Sequence, residues 1–165
     1  MVSTSTGCRI LPIDGEQLES LFAQIKDKVG YKLGAKARAG AKVGTFDQID
    51  CSGFIRWFLP LLCDEHIDVP DGSQNQRAWC ERQGFKATDY CANARWCDGR
   101  LRIAFLSQKP GKAWPRHVWL VYGKPGEERA MTMESYGGHG VGRRWWNNQA
   151  FKKVAACFVL TDVLE

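Results

Sequence analysis

Several absences narrow this chain before any motif does. No pair among its seven cysteines has the C-x-x-C spacing of a zinc site or a thioredoxin-like motif. No uninterrupted stretch of ~20 apolar residues occurs, so no membrane span is expected. The first ten residues are polar and rich in Ser and Thr, without the basic start and apolar segment of a secretory signal. Histidine is scarce: any imidazole chemistry must come from His66, His117 or His139.

An odd number of cysteines leaves at least one thiol unpaired within a monomer. Cys157, inside the apolar run 154–160, reads as a buried small hydrophobe, whereas Cys80, Cys91 and Cys97 either hold a disulfide or stay reduced. His66, beside Glu65, reads as solvated surface, and Cys63 with His66 is too sparse a pair for a metal site.

What is present fits one globular unit. The 165 residues suffice for a real core, so residues 1–165 are read as a single domain. Hydrophobic content of 44% with 25% charged residues argues against disorder and against a fibre. Much of the net charge of +5 sits on Lys26, Lys28, Lys32, Lys36, Arg38 and Lys42, a solvated face that would also attract a polyanion. The aromatics do not form the signature of an RNA-binding module, and no nucleic-acid partner is expected. Trp145-Trp146, beside Arg143-Arg144, is expected to serve the core first, with stacking on sugar rings as the alternative.

Hydrophobic spacing gives the layout. Leu18, Leu21, Phe22, Ile25 and Val29 predict an amphipathic helix over 15–29 with Asp14 as N-cap. Residues 32–45 read as a Gly-rich, basic loop. Asp50 then caps a buried helix that carries Phe54, Ile55, Trp57 and Phe58 and ends or kinks at Pro60. Ser73 with Gln76 has the capping-box pattern of a third helix over 77–82. Beyond residue 100, short runs at 101–107, 117–123, 128–135 and 154–160 read as strands. Helices first and strands afterwards predict an α+β domain, N-terminal helices packed on one face of an antiparallel sheet.

A cysteine nucleophile needs a stabilised thiolate, an imidazole, and a polar group that orients the imidazole. Cys51 follows the Asp50 cap, so its sulfur would lie at the positive end of a helix, among backbone N–H groups suited to an oxyanion. His117 opens a strand, and Pro125-Gly126 makes a turn that would pair 124 with 127 and therefore 117 with 134. In that register Glu134 orients His117. His139 is the alternative third residue, with opposite parity along a continued strand.

In this order the motifs resemble the NlpC-type cell-wall cysteine peptidases, a papain-like family. Asp50-Cys51-Ser52-Gly53-Phe54-Ile55 is similar to the family's nucleophile motif, His117 to Gly123 to its histidine strand, and Met133-Glu134-Ser135 to its third-residue position. Tyr31 resembles an upstream tyrosine lining the substrate site, and Val69-Pro70 leading to Ser73 and Gln76 resembles a substrate-binding segment. Two positions depart from the pattern: where many members have an arginine before the serine this chain has Asp71-Gly72-Ser73, and Glu134 stands where a histidine is common.

The resemblance implies a papain-like fold and Cys51, His117 and Glu134 as catalytic residues. It implies substrate contacts at Tyr31, Asp50, Ser52 and Ser73, and neither metal nor organic cofactor. The implied activity is that of a peptidoglycan hydrolase, an endopeptidase or amidase cutting a stem-peptide amide, D-glutamyl-diaminopimelate in many members. With no signal peptide read, a monomer reaching the wall by phage or secretion delivery, with delivery machinery or an immunity protein as partner, is the expectation. Two alternatives stay open here: acyl transfer or transpeptidation by the same triad, and a wall-binding relative without catalysis.

Overall fold

A computed structural model describes residues 13–63, 67–88, 96–107, 115–145 and 154–164. In chain order these are β1 (Ile13–Asp14), α1 (Gly15–Ala23), α2 (Cys51–Phe58) continued by a 3₁₀ turn (Leu59–Leu62), and α3 (Ser73–Arg82). Then follow β2 (Lys86–Ala87), β3 (Arg100–Ser107), β4 (Pro115–Tyr122), β5 (Met131–Tyr136), β6 (Gly140–Gly142) and β7 (Val154–Leu164). The expected α+β class holds: the strands join in the order β1-β7-β3-β4-β5-β6, with β2 also on β7. All pairings are antiparallel except β1 with β7. No helix among the described residues is long and apolar enough to cross a membrane.

Strand alternation sorts the core into two layers. Leu101, Ile103 and Phe105 of β3, with Val118, Leu120 and Tyr122 of β4, join Leu18, Phe22, Phe54, Ile55 and Phe58 in the main core. Ala104, Leu106, Trp119 and Val121 point the other way and pack with Val154, Cys157 and Trp96. Phe22, Phe54 and Phe58 meet edge-on or stacked at 5.2–6.2 Å between ring centroids, which locks α1 to α2. Burying each such ring contributes ~2–3 kcal/mol before side-chain entropy is counted. The Trp57 indole donates to Ala41 O at 2.8 Å and fastens the basic loop to α2.

Three elements differ from the sequence reading. α1 is capped by Asp14 as expected, the carboxylate accepting from Glu16 N, but it ends at Ala23 instead of 29. There the chain is diverted toward β6: Asp27, at a φ of 61°, donates its N–H to Val141 O, and Val141 N–H donates to Val29 O. Ile25 and Val29 stay buried, so their helical spacing was a packing signal rather than a helix signal. α3 starts at Ser73 with Gly72, not Ser73, as its N-cap. Gln76 makes no capping box: its amide reaches Ser52 O at 2.8 Å and Pro70 O at 3.0 Å, a long-range contact that outcompetes the local one.

The third difference is register. The turn at Lys124–Glu127 forms, with Glu127 N–H donating to Lys124 O and Gly126 at a φ of 90°. Yet β4 and β5 pair Leu120 with Met133 and Tyr122 with Met131, not 117 with 134. Residues 128–130 lengthen one arm of the connection, and the register slides by two. Since two is the period of a strand, His117 and Glu134 keep a common face and become diagonal neighbours. On its other side β4 carries a bulge: Leu106 pairs with His117 and Ser107 with Pro115, so one residue is extra directly before His117.

Cys157 is buried as expected, and burial pushes its thiol up to about 12. Cys80 is a buried thiol shifted upward by the same desolvation, so it takes the reduced option. Cys91, His66 and Trp146 lie outside the described residues.

Candidate active site

Cys51 is the first residue of α2 and is 8% exposed. Asp50 caps the helix as its sequence position requires, Oδ1 accepting from Gly53 N at 2.7 Å. Because that bond satisfies the third N–H, the Cys51 and Ser52 N–H groups remain as first-turn donors beside the sulfur. Gly53 is obligatory here: a Cβ on it would lie 2.8 Å from Asp50 Oδ1 and 2.9 Å from Ala35 O. The Asp-Cys-Ser-Gly sequence therefore has a steric reason as well as an electrostatic one.

His117 supplies the imidazole. Its Nε2 donates to Glu134 Oε1 at 2.8 Å, and the ring lies near enough to the Cys51 thiol for the two groups to couple electrostatically. Nδ1 is the nitrogen left for the sulfur. Burial alone would lower the imidazole pKa, but the interactions with Cys51 and Glu134 and their negative charge override it. The result is a pKa raised from 6.5 to about 9. The indole of Trp119 stands edge-on to the ring at 5.7 Å, completing its seat.

Glu134 has no solvent exposure. Its Oε1 accepts from both His117 Nε2 and Arg144 Nη2. Desolvation would raise its pKa, yet these two donors hold it below the ordinary glutamate value, so the carboxylate stays charged. Arg144 also stacks its guanidinium over Tyr136, 4.2 Å from the ring centroid, and lies 5.4 Å from the Trp119 ring. The imidazole is thus oriented by a charged acid that is itself oriented.

The other candidates divide. Tyr31 is half-buried beside Cys51, its phenol raised by burial and then by the charges of Cys51 and Asp50. Backbone bonds of Gly30 with Asp47 and Ile49 hold it there. Ser52 donates toward Asp50 and accepts from Lys36 Nζ at 2.8 Å. Ser73 opens α3, two residues after Asp71. His139 is not with His117: its Nε2 bonds Asp27 Oδ1 at 3.0 Å in an exposed pair, and its ring stacks on Tyr136. Among the described residues, no three His, Cys, Asp or Glu side chains converge as metal ligands would.

Lys36, Arg144, Gln76 and Asp71 were not anticipated in these positions. Lys36, expected on a solvated face, bonds both oxygens of Asp50 at 2.6 and 2.7 Å and pairs with Asp71 at 2.8 Å. Burial lowers its pKa, but the two carboxylates more than reverse this. Gly34 N also donates to Asp50, and Asp50 N to Ala35 O. With Gln76 holding Ser52 O, segments 34–36, 50–53 and 70–76 are bound together at the start of α2. Ser135 Oγ, donating to Ile49 O at 2.7 Å, ties this assembly to β5 one residue from Glu134.

No protein-family model matches this chain, and no curated protein matches its sequence. What the site can do must be argued from its atoms.

Proposed function

We propose that this protein is a papain-like cysteine hydrolase of NlpC type that cuts an amide bond in the stem peptide of peptidoglycan. One observation carries the chemistry: a buried, charged Glu134 holds His117 Nε2 at 2.8 Å while the imidazole couples electrostatically to the Cys51 thiol. A thiol passes its proton to such an imidazole, and the helix start favours the resulting thiolate. The sulfur attacks the amide carbonyl, and the Cys51 and Ser52 N–H groups receive the oxyanion.

His117, now an imidazolium, protonates the departing amine as the C–N bond breaks and the thioester remains. It then takes a proton from water, whose oxygen attacks the thioester and releases Cys51 and the product acid. Glu134 stays ionised throughout and stabilises the imidazolium. Support for the wall substrate is the ordered likeness of the nucleophile, histidine and third-residue motifs to that family, with Tyr31 beside Cys51 as the likeness implies.

The test is digestion of purified Gram-negative sacculi with wild type and Cys51→Ala, with fragments identified by mass spectrometry. Fragments from wild type alone, with masses that name a stem-peptide bond, are expected. Equal release by Cys51→Ala would overturn the mechanism, and release by neither would overturn the substrate.

A further inference from the structure

Trp57, Trp79 and Trp119 are all buried, but Trp145 is 47% exposed. Its indole is no core residue, contrary to the sequence expectation. It lines an open cleft of about 420 Å³ with Met131, Arg143, Arg129, Glu127 and Glu128, a volume within the ~300–1,000 Å³ of small-molecule sites. Trp145 is held in place by a backbone bridge to Met131, and the Arg129 guanidinium lies 5.5 Å from its ring. Arg143 is fixed by Glu19 at 2.7 Å and rests on Phe22.

We infer that this cleft is a glycan subsite that takes an N-acetylated pyranose ring. An exposed indole offers a flat apolar face to the axial C–H groups of a sugar, and Met131 offers one to an acetyl methyl. Guanidinium and carboxylate groups around the rim serve hydroxyls, which both donate and accept. A phosphorylated ligand would meet the carboxylates of Glu19, Glu127 and Glu128, which also line the cleft, and a wholly apolar one would desolvate them without return.

The inference rests on the wall-substrate reading, which supplies the glycan. Position supports the link. Arg144 holds Glu134 while the next residue, Trp145, lines the cleft. Along β4, Tyr122, the partner of Met131, stands five residues from His117, ~17 Å at strand rise. An extended peptide of about five residues covers that span and joins sugar to scissile bond.

Two measurements test it. First, N-acetylglucosamine tetramer is titrated into Cys51→Ala and into Cys51→Ala/Trp145→Ala, with binding read by calorimetry. Saturable binding that Trp145→Ala weakens by about tenfold and Trp145→Phe largely restores is expected. Second, wild type and Trp145→Ala are compared on glycan-linked muropeptide and on sugar-free stem peptide. The variant's KM rises only on the first, and its unchanged turnover of the second shows an intact fold.

No binding of the tetramer, or equal losses on both substrates, overturns the subsite. Failure of wild type to cleave either substrate overturns the hydrolase reading, and the titration still decides the subsite.

Discussion

His117 and His139 each give Nε2 to a carboxylate, at 2.8 and 3.0 Å, and each lies against an aromatic ring. Geometry of the bond does not separate them. Their surroundings do: Glu134 is fully buried and held by Arg144, whereas the His139–Asp27 pair is 43% and 58% exposed. Water screens the exposed pair to within ~1 kcal/mol. The His117–Glu134 pair, 21% and 0% exposed, stands largely out of water, where removing one member leaves the buried carboxylate's charge less compensated. A histidine becomes a candidate base through a half-buried ring, a fully buried acid and a nearby thiol together.

The largest effects should come from breaking the buried chain at its reacting end. Cys51→Ala and His117→Ala should each lower amide cleavage at least about a thousandfold, measured as kcat/KM, and combining them should add little because they act as a unit.

Glu134→Gln should follow, losing about a hundredfold in kcat/KM and ~3 kcal/mol of stability in urea unfolding. It should also flatten a pH dependence of stability. His117 has its pKa raised in the fold, so its contribution is fully present below pH 6.5 and lost as pH rises to about 9. Without the Glu134 charge that window should narrow from its upper end. Glu134 has the opposite sign: its depressed pKa contributes stability above the ordinary glutamate value that is lost as pH falls through the folded one. Arg144→Met should move that acid limb upward and reduce kcat/KM by about tenfold.

Lys36→Met sharpens the comparison from the nucleophile's side. It leaves the buried Asp50 carboxylate without its cation and should reduce kcat about tenfold, with partial recovery in Lys36→Arg. The pH profile should shift in Lys36→Met and return in Lys36→Arg, which a loss of folded protein alone would not produce. The smallest change belongs to the exposed pair: His139→Asn should stay within about twofold in activity and ~0.5 kcal/mol in stability. A large loss there would break the contrast between the two histidines.

Much of this site was legible because its signals are local. Asp50 must cap a helix that begins at Cys51, which follows from residues within one turn, whereas the steric need for Gly53 comes partly from the distant Ala35 carbonyl. His117 and Glu134 were placed on one face by strand alternation, which survived a register error of two residues. Arg144 left a signal that needed one more strand. With Glu134 paired to Gly142, residue 144 falls diagonally across from Glu134, but three-residue β6 is too short to announce itself by period.

Lys36 left none, since a lysine in a basic loop looks complete as solvated face, and Gln76, placed near the site by the resemblance, gave no local sign of its bond to Ser52 O because it also looks complete as a capping box. Trp145 was misjudged because composition weighs an indole by its apolar area, while the fold ends the sheet beside it and leaves it open.

The sequence by itself determined the main helix and strand types, the capped Cys51 and the shared face of His117 and Glu134, since these depend on period and on contacts within a turn. Only the tertiary structure decided that Glu134 and not His139 holds His117, that Arg144 holds that acid, and that Lys36 binds the start of α2. Those contacts join residues 10 to 17 or more positions apart. Their strength comes from burial, which a side chain acquires only when the rest of the chain has packed around it.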